Sequence, residues 1–180
     1  MFLIYSFSIM SKPEKSHAVV DDPSRLPVIR VPGDGRCLFR SVVYGACLRS
    51  GDPSPSNAKQ KQLADDLRNK VVDEFIKRRA DTAWFLEGDF DTYTGQMRKS
   101  HVWAGEPELL MSSHVLQMPI RVVMQDKKSG GLKVIAEYGQ EYGKDCPIQV
   151  MYHGYGHYDV LKTQPASTCT HYTSNNICHV

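Results

Sequence analysis

Apolar residues recur every four positions through part of the chain: Leu63, Leu67, Val71 and Phe75, with Val72 and Ile76 widening the stripe. Charged residues fill the opposite face. This spacing predicts a long helix from about Pro55 to Arg79 that buries one side. Upstream, Leu38, Val42, Tyr44 and Leu48 mark a helix that opens at Cys37 and stops at Gly51. Phe90, Tyr93 and Met97 predict a shorter third helix. Pro107, read as a first helical residue, opens a fourth containing Leu109, Leu110, Val115 and Leu116.

The period then changes. Ile120–Met124, Leu132–Ala136, Ile148–Tyr152 and Tyr158–Leu161 are short runs rich in β-branched or aromatic residues, separated by turn-forming stretches. Val28–Val31 is one more short strand candidate, halted by the turn residues Pro32-Gly33-Asp34-Gly35. Helices early and strands late predict an α/β (α+β) fold. Residues 1–27 read as a flexible lead-in, 28–161 as one folded unit, and 162–180 as a flexible polar tail.

Composition narrows the function classes. A chain of 180 residues with 41% hydrophobic content suits a single domain with a real core. A net charge of +2 offers no argument for a nucleic-acid or membrane partner. The densest basic cluster, Lys77-Arg78-Arg79, falls at a helix C-terminus, where cations complement the helix dipole. The apolar opening from Met1 to Met10 lacks the basic start and cleavage site of a secretory signal. Five scattered cysteines argue against a disulfide framework and for a reducing cytoplasmic or nuclear setting. Cys169, His171, Cys178 and His179 match no zinc-site spacing, so no metal or other cofactor is expected.

Candidate chemistry centres on the loop before the first helix. Gly33 and Gly35 flank Asp34, and both can take positive φ. Such a turn aims the backbone N–H groups of Asp34, Gly35, Arg36 and Cys37 into one concavity suited to an oxyanion. Cys37 then sits at a helix N-terminus, a setting that can lower a thiol pKa to roughly 3.5–7.5. A merely structural, buried cysteine would satisfy this turn equally well. A thiol nucleophile also needs an imidazole and a group to orient it. Among seven histidines, His157 alone has an acid two residues on: Asp159, on the same face of a strand. His153 is the rival base and lacks such an acid.

Three ordered blocks resemble the ovarian-tumour (OTU) family of cysteine proteases. They are Asp34-Gly35-Arg36-Cys37-Leu38-Phe39-Arg40-Ser41, Trp103-Ala104-Gly105-Glu106-Pro107-Glu108-Leu109, and His157-Tyr158-Asp159. The resemblance implies a papain-like fold, with Cys37 as nucleophile and His157 as general base. It implies ubiquitin as partner and cleavage of the isopeptide bond after the ubiquitin C-terminal glycine. The acidic role falls on Asp159 or Asp34, with Asp159 expected to orient the imidazole and Asp34 to brace the loop. Trp103, Ala104, Gly105 and Glu106 become candidates for the substrate channel. Ala104 stands where the family has glycine, a departure that bears on substrate fit if this backbone needs positive φ. A ubiquitin-binding scaffold and a protease for another ubiquitin-like modifier are the competing readings. Linkage preference and oligomeric state are not encoded in these motifs.

Overall fold

A computed structural model describes residues 26–162. The lead-in up to Arg25, the tail from Thr163, and the four Cys/His positions considered for zinc lie outside them. The elements run β1 (Val28–Ile29), α1 (Cys37–Ser50), α2 (Asn57–Lys77), α3 (Arg79–Thr82), α4 (Phe90–Met97), α5 (Glu106–Leu116), β2 (Ile120–Gln125), β3 (Leu132–Tyr138), β4 (Ile148–Tyr152) and β5 (Tyr158–Leu161).

Five strands form one sheet in the order β1-β5-β4-β2-β3. Only β2 and β4 pair in parallel; β1–β5, β5–β4 and β2–β3 are antiparallel. The mixed architecture is the expected α/β (α+β) one.

Helix α1 is the centre of the molecule and lies against β4 and β5. Phe39, Val42, Ala46 and Cys47 are wholly buried, and even its polar Arg40 and Ser41 are removed from solvent. Gly45 makes this approach feasible, since a Cβ there would lie 2.7 Å from Ile148 Cγ2. Gly51 ends the helix with φ 78°, and its N–H donates to the carbonyls of Cys47 and Leu48.

The four-residue stripe buries α2 against α1 and α5: Leu63, Leu67, Val71 and Phe75 are at most 5% exposed. Burying four such side chains contributes on the order of 1.5–3 kcal/mol each relative to exposure. Ser56 caps the helix, its hydroxyl accepting from the Lys59 N–H. Ile76, expected in the stripe, is instead half exposed, at the edge of the buried arc.

Several expectations change. The strand predicted at 28–31 pairs over only two residues, because Val31 N–H turns to a side-chain carboxylate. The basic cluster after α2 meets carboxylates rather than a helix dipole alone: Lys77 and Arg78 pair with Glu74, and Arg79 with Asp91. Cys47 and Cys146 are both disulfide-bonded, contrary to the reading of unlinked cysteines, while Cys37 is free. Disulfides depend on tertiary proximity, which scattered spacing does not reveal.

Candidate active site

Cys37 is the first residue of α1, with its side chain largely buried. Its Sγ–H donates toward the carbonyl of Gly156 at 3.7 Å, joining the helix N-terminus to the turn that precedes His157. Burial pushes the Cys37 thiol up, and the nearby Asp34 charge adds to that. Hydrogen bonds from the backbone of Tyr158, Leu38 and Cys37 itself oppose the rise without cancelling it. The resting thiol is therefore not the low-pKa group that a helix N-terminus alone suggests. Desolvation outweighs the hydrogen bonds that favour the thiolate here.

The loop before it is braced from several sides. Asp34 Oδ1 accepts the Arg36 N–H at 3.2 Å, and Oδ2 accepts from Arg40 Nη2 at 2.8 Å. Partial burial raises the Asp34 pKa, but the Arg40 and Arg36 hydrogen bonds more than offset that, leaving it below the ordinary carboxylate value. Arg36 N–H is thereby engaged inside the loop, which removes it from the predicted set of oxyanion donors. Gly35 takes φ 82° and lies so close to the next segment that a Cβ would fall 2.6 Å from His101 Cα. Gly33, also able to take positive φ, does not adopt it. Its importance is proximity: a Cβ there would sit 3.8 Å from His157 Nδ1.

Arg68, on α2, was absent from every sequence motif and proves central. It is 1% exposed, and its Nη2 donates to the Gly35 carbonyl at 2.7 Å and to Ser100 O at 3.3 Å. Its Nη1 donates to Met97 O at 3.0 Å, and the guanidinium carbon lies 4.6 Å above the Phe39 ring. One planar fork thus ties the nucleophile loop to the α4–α5 connection.

The imidazole side is built from the β4–β5 hairpin. Met151 faces Asp159 and Tyr152 faces Tyr158, and His153 N–H donates to His157 O at 3.0 Å across the Gly154-Tyr155-Gly156 turn. Asp159 is completely buried. Its Oδ1 accepts the Val31 N–H at 2.9 Å and lies 3.3 Å from His157 Nε2. Its Oδ2 lies 2.9 Å from His153 Nε2. An ionised carboxylate only accepts, so each facing Nε2 carries the proton and each Nδ1 is left as an acceptor. His157 therefore presents a free Nδ1 on the edge facing Gly33.

Of the two candidate acids, Asp159 touches the imidazole, whereas Asp34 is bound to Arg36 and Arg40. His153, set aside as the base because no acid lies two residues from it, nonetheless pairs with Asp159. The acid it uses is six residues away and reaches it through hairpin register, which an i,i+2 search does not cover.

In the third block, Trp103 reaches the same hairpin. A Cβ on Gly156, at φ 82°, would lie 2.4 Å from the indole ring. Among the described residues the non-glycine positions of positive φ are Gln117 and Cys146, so Ala104 carries no such strain. Gly105 N–H donates to the buried Glu108 Oε2 at 2.7 Å, and Tyr93 donates to Oε1 at 2.5 Å. Burial raises the Glu108 carboxyl pKa despite these bonds. Glu106, predicted to line the channel, is the first residue of α5, and burial together with its nearby carboxylate pushes the Tyr138 phenol up.

Comparison with known proteins follows the same lines. Residues 32–159 match the profile of the OTU-like cysteine proteases. The Arabidopsis thaliana OVARIAN TUMOR DOMAIN-containing deubiquitinating enzyme 4 is 67% identical over 134 residues, which cover 74% of this chain and 42% of that protein. The Arabidopsis thaliana enzyme 3 of the same description is 29% identical over 158 residues, covering 75% of this chain and 67% of that protein. The chain thus spans less than half the length of the first of these relatives. Among solved structures, an ovarian tumour domain in complex with ubiquitin superposes with TM-score 0.59 at 23% identity, covering 85% of this chain and 80% of that one. The OTU domain of OTUD1 gives TM-score 0.59 at 23% identity, covering 74% and 83%.

Proposed function

Since the chain belongs to the OTU-like cysteine protease family, we propose that residues 28–161 form a deubiquitinating thiol protease domain cleaving the isopeptide bond after the C-terminal glycine of ubiquitin. The observation that carries this reading is the contact of Cys37 Sγ with the carbonyl of Gly156, the residue before His157, whose imidazole is braced by a buried carboxylate. Ubiquitin as substrate is supported by the relatives described as deubiquitinating enzymes and by the ubiquitin complex of a similar fold.

In this mechanism His157 Nδ1 takes the thiol proton as Cys37 Sγ attacks the isopeptide carbonyl. The raised thiol pKa makes this general-base removal rather than use of a standing thiolate. N–H groups of Asp34, Gly35 and Cys37 hold the oxyanion. The imidazolium returns its proton to the departing lysine amine, leaving a thioester on Cys37. His157 then draws a proton from water, which attacks the thioester and releases the ubiquitin carboxylate. Asp159 keeps the imidazole in the required tautomer, and Asp34 shapes the loop. Trp103, Ala104 and Gly105 border the approach of the diglycine tail. No cofactor enters.

A ubiquitin probe with a C-terminal thiol-reactive group tests the reading. Wild type should become covalently labelled, and Cys37→Ala should not, while His157→Ala should lose turnover. A folded wild type that ignores ubiquitin but accepts another modifier's probe reassigns the substrate; one that accepts none is a scaffold.

No helix among the described residues is long and apolar enough to cross a membrane. Chemistry run on a reduced Cys37 suits a cytoplasmic or nuclear setting, and the disulfide state of Cys47 and Cys146 is the feature that pulls against it.

A further inference from the structure

The carboxylate behind the base has two imidazole partners, and the mechanism above uses one. We propose that His153 is a positioning residue for the reaction. Its Nε2–H holds Asp159 Oδ2, so that Oδ1 stays aligned on His157. This rests on the reading of Cys37 and His157 as nucleophile and base.

Asp159 has no solvent exposure, so each oxygen must find its donors inside the protein. Oδ1 has two, the Val31 N–H and His157 Nε2. Oδ2 has one within hydrogen-bond reach, His153 Nε2 at 2.9 Å. Among the described residues, the other cation paired with it is Arg30, which stands 3.8 Å away with 84% of its side chain in solvent. Hydration and distance leave it a poor replacement.

Geometry adds direction. The carboxylate is held by two 2.9 Å contacts, His153 Nε2 on Oδ2 and the Val31 N–H on Oδ1, both shorter than the 3.3 Å contact to His157, so His153 fixes the Oδ2 end of its plane. His153 is itself fixed by its N–H bond to His157 O, and the two rings are 5.5 Å apart at a 41° tilt. Without His153, Oδ2 would be a buried acceptor with no donor. The carboxylate then relieves that deficit by rotating or by taking up a proton, and either change disturbs its bond to His157. His153 does not take over as base, because the free edge facing the nucleophile loop belongs to His157.

The test combines turnover of a ubiquitin-amide fluorogenic substrate with alkylation of Cys37 by iodoacetamide, which needs no ubiquitin. His153→Ala should lower kcat about tenfold with KM unchanged, less than the loss expected at the carboxylate itself. His153→Gln should recover most of that loss, because the Gln amide nitrogen reaches the position of Nε2. His153→Asn, one methylene shorter, should not. In an Asp159→Asn background, His153→Ala should cost less than about twofold further, as coupled residues are non-additive. The alkylation rates should follow the same pattern.

Equal losses in both backgrounds, or a rise in KM at constant kcat, would overturn the proposal. So would full activity in a folded His153→Ala protein. If wild type turns over no ubiquitin substrate, the functional reading fails, and the alkylation cycle still decides the role of His153. Should His153→Ala not fold, the contrast between Gln and Asn carries the decision.

Discussion

The two halves of the site are held by different means. The nucleophile loop is gripped from outside by long cationic side chains: Arg68 binds three backbone carbonyls, and Arg40 binds Asp34 and Asn57. The base is held from within its own hairpin and by one buried acid that ties it to the neighbouring strand. The first arrangement fixes backbone and is expensive to disturb in stability. The second fixes the tautomer and orientation of a ring, and its disturbance shows first in rate.

Substitution of Asp159 should separate the two most sharply. Asp159→Asn keeps a polar side chain of the same size but offers one acceptor oxygen to three N–H groups. Turnover should fall by about 10² or more, as when a triad carboxylate loses its charge. Asp34→Asn should cost only a few-fold; a reversed order, measured as kcat/KM, would move the orienting role to the nucleophile side.

Arg68→Met tests the opposite pole. The buried carbonyls of Gly35 and Met97 and the half-buried one of Ser100 would lose their donor, and urea unfolding should show a loss of about 3 kcal/mol. Arg68→Lys should recover little, since an ammonium does not reproduce the fork. A stable Arg68→Met protein with reduced activity would mean that the loop is fixed by other contacts.

The resting thiol offers a third comparison, through pH. A pKa raised above the ordinary thiol value of 9.0 leaves little thiolate at neutrality. Alkylation of Cys37 should therefore keep rising with pH through that value, about tenfold per unit below it. A plateau below pH 7 would reveal a preformed thiolate–imidazolium pair and overturn the general-base step.

At the small end, Gly156→Ala should cost about 1 kcal/mol for its positive φ, because the clashing indole is 63% exposed and free to swing aside. A several-fold loss of rate should accompany it, measured by the same assay, as the turn beside the base shifts.

This contrast also explains what could be read from the chain. Local periodicity was enough for α2, whose stripe from Leu63 to Phe75 is buried as spacing requires. It was enough for the end of α1 at Gly51, where a single residue supplies the stop. His157 and Asp159 were legible because two strand positions share a face. Arg68 was not: it occupies an ordinary place in a charged helix, and only tertiary packing shows the carbonyls it meets. His153 failed for a related reason, since its acid lies across a hairpin whose register depends on the turn. The length of β1 was lost to the same carboxylate, which diverts Val31 from the ladder.

That bond from Val31 to Asp159 spans 128 positions of sequence. During synthesis Cys37 and its helix leave the ribosome before His157 and Asp159, which follow with β5. A growing chain therefore carries its cysteine through that interval without the imidazole proposed to activate it. In the proposed mechanism, the base is in place only when β5 closes onto β1, so a chain halted before that point is an unarmed one.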